Sequence, residues 1–170
     1  MSGSGGKDRR GRAAARQHGQ APVRIRVGDW EQMRAAATAV RFAVFVREQG
    51  IPAELELDER DAGAVHAVAF APSGAPVGTG RLLPDAHIGR MAVLPAARGQ
   101  GVGAAILRSL VAVAQVKGMQ ELHLHAQSSA LGFYERLGFV AVGDEYQEAG
   151  IAHRTMARSL PPPGQRPTRG

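Results

Sequence analysis

Cysteine is absent from all 170 residues, which excludes disulfides, thiolate metal sites and a cysteine nucleophile, and is compatible with a reducing compartment. Aromatic residues are few, 5% of the chain, and no apolar run approaches the roughly 20 residues that a membrane span needs. The first 21 residues contain no Leu, Ile, Val or Phe, so the apolar segment of a signal peptide is missing too. These absences set the expectation of a cytoplasmic protein without a membrane partner. What remains is enough to fold: 44% hydrophobic and 21% charged residues suit one domain with a real core.

The formal charge of +6 invites a nucleic-acid reading, but the excess sits in the tails. Residues 1–21 carry Lys7, Arg9, Arg10, Arg12 and Arg16 against Asp8, and Arg166 and Arg169 lie among the last ten residues. Between the tails, 22–160 holds 14 basic and 14 acidic residues and is neutral. Such a distribution does not describe a basic face that tracks phosphates, so no specific nucleic-acid partner is expected. Residues 1–21, rich in Gly, Arg, Ala and Ser, read as a disordered basic extension, and 161–170, PPPGQRPTRG, as a disordered proline-rich tail. The folded domain is expected over 22–160.

Val23, Ile25 and Val27 alternate with Arg24 and Arg26 as in a half-buried strand. Asp29 then opens a helix, with Gln32 in the capping-box position and Met33, Ala37, Val40 and Val44 on one stripe; the helix is expected to stop near Arg47. The segment 48–61 is a loop with six carboxylates and one arginine. It reads as a solvated acidic loop on which Leu55 and Leu57 pack down and Glu54 and Glu56 share the outer side, where they could meet a cationic acceptor. Residues 65–71 and 76–83 form a hairpin, followed by a strand from His87. A helix over about 101–117, apolar nearly all round and ended by Gly118, leads to a strand, ELHLHAQ, at 121–127 that must run parallel to the strand at 87–93. A short helix at 129–137 and two closing strands, 139–145 and 151–158, complete the chain.

This strand, turn and helix over 87–117 organises the rest. Gly99, Gly101, Val102, Gly103 and Ala104 are small or flexible, so the amides at the helix start can approach an anion closely. Gly99, Gly101 and Ala104 match the G-x-G-x-x-A spacing of a dinucleotide site, but two requirements of that site fail. Five residues separate the strand from the first glycine, and the next strand ends in His125 and Gln127 with no carboxylate for a ribose. Arg98 beside the bare amides suits a pyrophosphate carried by another kind of ligand.

The pattern resembles the Gcn5-related N-acetyltransferase (GNAT) superfamily, whose pyrophosphate motif R-x-x-G-x-G falls on Arg98, Gly101 and Gly103. Ala130, Tyr134, Gly138 and Phe139 match the superfamily's A-x-x-x-Y-x-x-x-G-F segment, and VFVREQGIP, GRLLP and EAGIAHRTMAR are similar to its ElaA-like branch. The resemblance covers 22–160. It implies a mixed α/β (α+β) fold: a mostly antiparallel sheet of six to seven strands with a central parallel pair and flanking helices. The implied activity is transfer of the acetyl group of acetyl-CoA, a co-substrate, to a primary amine by direct attack, the acceptor being a small molecule or a protein amine.

Carried over residue by residue, the resemblance puts the pantetheine arm along the backbone of Met91, Ala92 and Val93. It puts the pyrophosphate on Arg98 and the amides of Gly99, Gln100, Gly101, Val102, Gly103 and Ala104. Gln127, Ala130 and Phe133 line the cofactor, with Gln127 standing where many relatives have asparagine, and Tyr134 gives the thiolate its proton. Tyr134 could equally be a core aromatic. No glutamate lies on 87–93, where many relatives carry the base; His153 could take that task, since histidine is the side chain suited to proton transfer near neutral pH, and Glu54 or Glu56 could bind or deprotonate the amine. His123 and His125 lack a third ligand at metal-binding spacing, so no metal is expected. A homodimer through the last strands and a non-catalytic acyl-CoA sensor on the same fold are the remaining readings.

Overall fold

The computed structural model describes residues 22–162; the expected N-terminal extension and nearly all of the expected tail lie outside that range. The first alternating segment is strand β1 (Arg24–Gly28). Helix α1 (Trp30–Arg41) is started by the capping box: the Asp29 side chain accepts from the Gln32 amide while the Gln32 side chain accepts from the Asp29 amide. The helix does not simply stop near Arg47. After Arg41 it widens into a π-helical stretch, Phe42–Glu48, which keeps Val44 buried and ends ahead of Gly50, whose φ is +71°.

A one-turn helix α2 (Ala53–Glu56) and a 3₁₀ turn (Glu59–Gly63) lead to strands β2 (Val65–Phe70), β3 (Pro76–Leu82) and β4 (His87–Val93). Helix α3 (Val102–Val116) crosses to β5 (Glu121–Gln127), helix α4 (Leu131–Glu135) follows, and β6 (Val140–Glu148) and β7 (Ile151–Ser159) close the fold. All seven strands make one sheet in the order β1-β2-β3-β4-β5-β7-β6, antiparallel except for β4 and β5. This is the expected mixed architecture. The last strand in sequence is internal and β6 forms the edge, so His153 lies one strand in from the rim.

The parallel pairing is short. β4 and β5 are in register only at His87 with His123 and Ile88 with Leu124, after which the strands diverge. The cause is local: between Arg81↔Gly89 and Thr79↔Ala92, β4 carries one residue more than β3, and Arg90 takes a positive φ of 49°. This bulge bends the second half of β4 away from β5 and opens a gap between Met91–Val93 and His125–Gln127.

Helices cover both faces of β2 and β3. Ala67 and Ala69 pack on the α3 side with Ile106, Leu107, Leu110 and Val111, whereas Val68 packs on the other side with Met33 and Ala37 of α1. Helix α3 is less uniformly buried than its composition suggests, since Val116 at its end is 87% exposed. Beyond the gap the layers are unequal. Leu122, Leu124, Ala126 and Met156 are buried on the α3 and α4 side. On the opposite face of β5, β7 and β6, His125, Val140, Val142 and Ile151 are exposed, while Ala157 on the same face is buried.

The acidic segment corrects the sequence reading. Leu55 and Leu57 are the exposed residues, and Glu56 is buried with Asp61, while Glu54 stays outside. The reason is a set of buried arginines that require counter-charges. Arg41 from α1 binds Glu56 through Nε and Asp61 through both terminal nitrogens, at 2.8 and 3.0 Å. Arg81 from β3 holds Asp58 at 2.7 and 2.8 Å and Asp61 at 2.9 Å, and Arg90 reaches Asp58 at 3.2 Å. Three arginines and three carboxylates thus tie 53–63 to the sheet, with His66 Nε2 donating to the Asp61 carbonyl, 2.9 Å away. Burial pushes the His66 pKa down, which keeps the ring neutral.

Candidate active site

The gap between β4 and β5 meets the start of α3. Gly99 and Gly101 have φ of +75° and +79°, a conformation natural to glycine, and open space surrounds the position of a Cβ on either. Gly101 is the N-cap of α3 and no side chain caps the helix, so the amides of Val102, Gly103 and Ala104 are left for a ligand. The 15-residue helix adds its dipole, and together these make an anion site at the mouth of the gap.

Arg98 is also at the mouth, with each of its three nitrogens already engaged in one hydrogen bond. Its Nε donates to the Val93 carbonyl at 3.0 Å, and its two terminal nitrogens grip both oxygens of Glu48, one at 2.7 Å. The Arg98 hydrogen bonds hold the Glu48 carboxyl below its ordinary range, and the same pairing raises Arg98. Glu48 comes from the end of the π-helical stretch. Among the six carboxylates of 48–61, only this one reaches the predicted pyrophosphate arginine in the structure, and only its place at the end of a helical stripe hinted at it.

On the α4 side, Phe133 closes over the turn: a Cβ on Gly103 would stand 3.3 Å from Phe133 Cζ and 3.7 Å from Val93 Cγ2. Gly103, Val93 and Phe133, three of the expected cofactor residues, are therefore neighbours. Tyr134 stacks edge-on against Phe133 at 5.0 Å and Phe139 at 6.2 Å between ring centroids. Burial pushes its phenol up to about 12, so the hydroxyl stays protonated throughout the physiological range. Ala130 ends the 3₁₀ turn that leads into α4, and Gln127 ends β5 at the gap.

On the open face, rings replace apolar packing. His87 stacks on His123 and His125 with centroids 5.4 and 5.7 Å apart. Tyr146 lies over His153, 5.9 Å between centroids, and its hydroxyl reaches across β7 to His125 Nδ1 at 2.8 Å. The Thr155 hydroxyl is 3.2 Å from the same nitrogen. His153 Nδ1 donates to the Ile151 carbonyl at 2.7 Å, and its Nε2 lies 4.0 Å from Glu148. Among the described residues no three His, Asp or Glu side chains converge in a metal-binding geometry. Nor is there a helix long and apolar enough to cross a membrane.

A family model described as an acetyltransferase (GNAT) domain matches residues 33–160. The chain belongs to the GNAT family. It is 36% identical over 132 residues to the uncharacterised N-acetyltransferase YjcF of Bacillus subtilis, a match that spans 75% of this chain and 94% of that one. Two solved structures share the fold with a TM-score of 0.72 each: Escherichia coli ElaA, at 27% identity, and an acyl-CoA N-acyltransferase from Pseudomonas aeruginosa, at 29%. Each alignment covers 81% of this chain and 99% of the other.

GNAT enzymes are N-acyltransferases that use acyl-CoA co-substrates and amine acceptors. The residues present fit such a ligand: the glycine turn and bare amides suit a pyrophosphate, and the gap between β4 and β5 offers strand edges to an amide-bearing arm. The structure brings Met91, Ala92, Val93, Gly99 to Ala104, Phe133 and Tyr134 around that gap. Glu56 is not brought to it as a free carboxylate, since Arg41 holds it in the interior. Sequence reasoning missed Tyr146 as a partner of His125. An unbulged β6 would oppose Asp144 to His153, and only the extra residues around Gly143, φ +78°, put Tyr146 there instead.

Proposed function

We propose that this GNAT protein transfers the acetyl group of acetyl-CoA to a primary amine by direct attack. The observation that supports this reading best is the divergence of β4 from β5 directly beside the uncapped start of α3. Acetyl-CoA supplies the activated acetyl thioester. Residues of this chain do the rest: the α3 amides bind negative charge, the backbone of Met91–Val93 aligns the arm, and a neutral amide N–H there offers a hydrogen bond to the carbonyl oxygen as charge develops on it.

Tyr134 and the open sheet face lie on opposite sides of the gap, which suits a reaction in which one group leaves as another enters. Tyr134 gives its proton to the sulfur; its high pKa matches a donor that stays protonated until thiolate forms. The amine enters from the face carrying His125, Tyr146 and His153, and Glu54, exposed at the rim of the acidic segment, attracts it as a cation. Replacing Tyr134 by Phe tests the assignment. Turnover should fall by about two orders of magnitude with acetyl-CoA affinity retained; equal turnover would return Tyr134 to a packing role.

A further inference from the structure

The family's usual glutamate is missing from β4, and the open face offers a replacement that neither the motifs nor the fold assign. We infer that Tyr146 and His125 act together as the proton acceptor for the attacking amine, an inference that rests on the proposed amine acetylation. His125 is the first outward-facing residue of β5 beyond the last parallel pair, Ile88 with Leu124, so it stands at the root of the gap. Tyr146 starts two strands away, on β6, yet its hydroxyl ends on His125 Nδ1. Neighbouring strands are about 4.8 Å apart, so the ring spans β7 and lies stacked over His153. His153 is accordingly only 13% exposed at its side chain, with its Nε2 4.0 Å from Glu148.

The step balances without any further reactant. The ammonium nitrogen gives a proton to the Tyr146 oxygen as Tyr146 passes its own to His125 Nδ1. The resulting imidazolium loses a proton to water on its exposed side. The neutral amine then forms the new N–C bond as the C–S bond breaks, Tyr134 delivers its proton to the sulfur, and the nitrogen's second proton leaves through water and restores the Tyr134 phenol. Thr155, 3.2 Å from Nδ1, holds the imidazole in place. A phenol that remains neutral in both directions is suited to relay rather than to store the proton; burial and the Glu148 charge keep Tyr146 above its ordinary pKa. The titratable groups that face the pair are His87 from β4, His123 from β5, Glu148 from β6 and His153 from β7.

The test compares the wild type, Tyr146→Phe and His125→Gln across pH 6.5 to 9.5. Thiol release from acetyl-CoA is read with whichever of cadaverine, tyramine, benzylamine and glycinamide reacts fastest. At pH 7 kcat/KM should fall about 100-fold in both variants, and the deficit should shrink below about tenfold at pH 9.5, where the amine sheds its own proton. The double variant should be no worse than either single one, as expected of one relay. A deficit uniform in pH, no deficit, or the pH-selective loss appearing in His153→Gln instead would overturn the relay. Imidazole nitrogen NMR of the wild type gives an independent reading: His125 should be the Nε2–H tautomer, and an Nδ1–H tautomer would overturn the direction of transfer. Absence of thiol release from the wild type with every amine would refute the acetylation reading, and the relay with it.

Discussion

Gly103 separates the binding of cofactor from the stability of the fold, because the same methyl group should weaken the first strongly and change the second little. It is the second residue of α3 and its backbone is outside the left-handed region, so Gly103→Ala is conformationally allowed. Alanine is favoured over glycine within a helix by up to about 1 kcal/mol, less in a first turn. Against this, the new Cβ lies 3.3 Å from Phe133 Cζ, and the ring must give by a few tenths of an ångström. The net change in stability should lie within about 1 kcal/mol of zero, its sign set by how far the Phe133 ring gives way, a shift in Tm of at most about 4 °C. The methyl also lies between the end of β4 and α4, where it keeps a phosphate from closing on the Gly103 and Ala104 amides. Losing one charge-assisted hydrogen bond costs about 1.5–3 kcal/mol, so the Kd for acetyl-CoA should rise about tenfold to a hundredfold. Melting curves with isothermal titration calorimetry read both effects. An unchanged Kd in a variant that melts within about 4 °C of the wild-type temperature would refute the placement of the pyrophosphate at α3.

Glu48→Gln should tighten acetyl-CoA binding about two- to fivefold at low salt, since an exposed ion pair is weak and its removal both frees Arg98 and takes a carboxylate from the mouth of the gap. Titrations at raised salt should show a smaller difference; weaker binding would mean that the pair serves to shape the turn. Arg41→Met should destabilise the fold by about 3–5 kcal/mol in urea titrations, because Glu56 is left buried without its partner; a loss below about 1 kcal/mol would contradict the description of that cluster. Arg81, chiefly by hydrogen bonding, holds Asp58 at about 2, and Asp61 lies below its ordinary value because Arg41 and Arg81 outweigh the opposing effect of burial. Their stabilisation is therefore complete above about pH 4 and is lost as pH falls toward 2, so urea midpoints should drop over that window and Asp58→Asn should flatten the drop.

The N-terminal helix was legible in detail because its signals are local: the Asp29 and Gln32 box and the stripe from Met33 to Val44 determine its start and its buried face. The same holds for the glycine turn, whose conformation follows from residues within four positions of one another. The charged segment at 48–61 was not legible, because its burial depends on Arg41, Arg81 and Arg90, which approach from three other elements. Alternation suggested that Leu55 and Leu57 face inward, and the arginines reversed it by requiring Glu56, Asp58 and Asp61. At the proposed site, the cofactor half rests on contiguous motifs. The acceptor half does not, because the Tyr146 contact with His125 depends on two register shifts, one at Arg90 that opens the gap and one near Gly143 that turns Tyr146 toward β5.

Titrating the intact wild-type chain with acetyl-CoA in a calorimeter, followed by thiol release on adding the amine set, tests the central claim most directly. One acetyl-CoA should bind per chain in the micromolar range, with thiol release only when an amine is present. Failure to bind acetyl-CoA at high micromolar concentration would contradict the account.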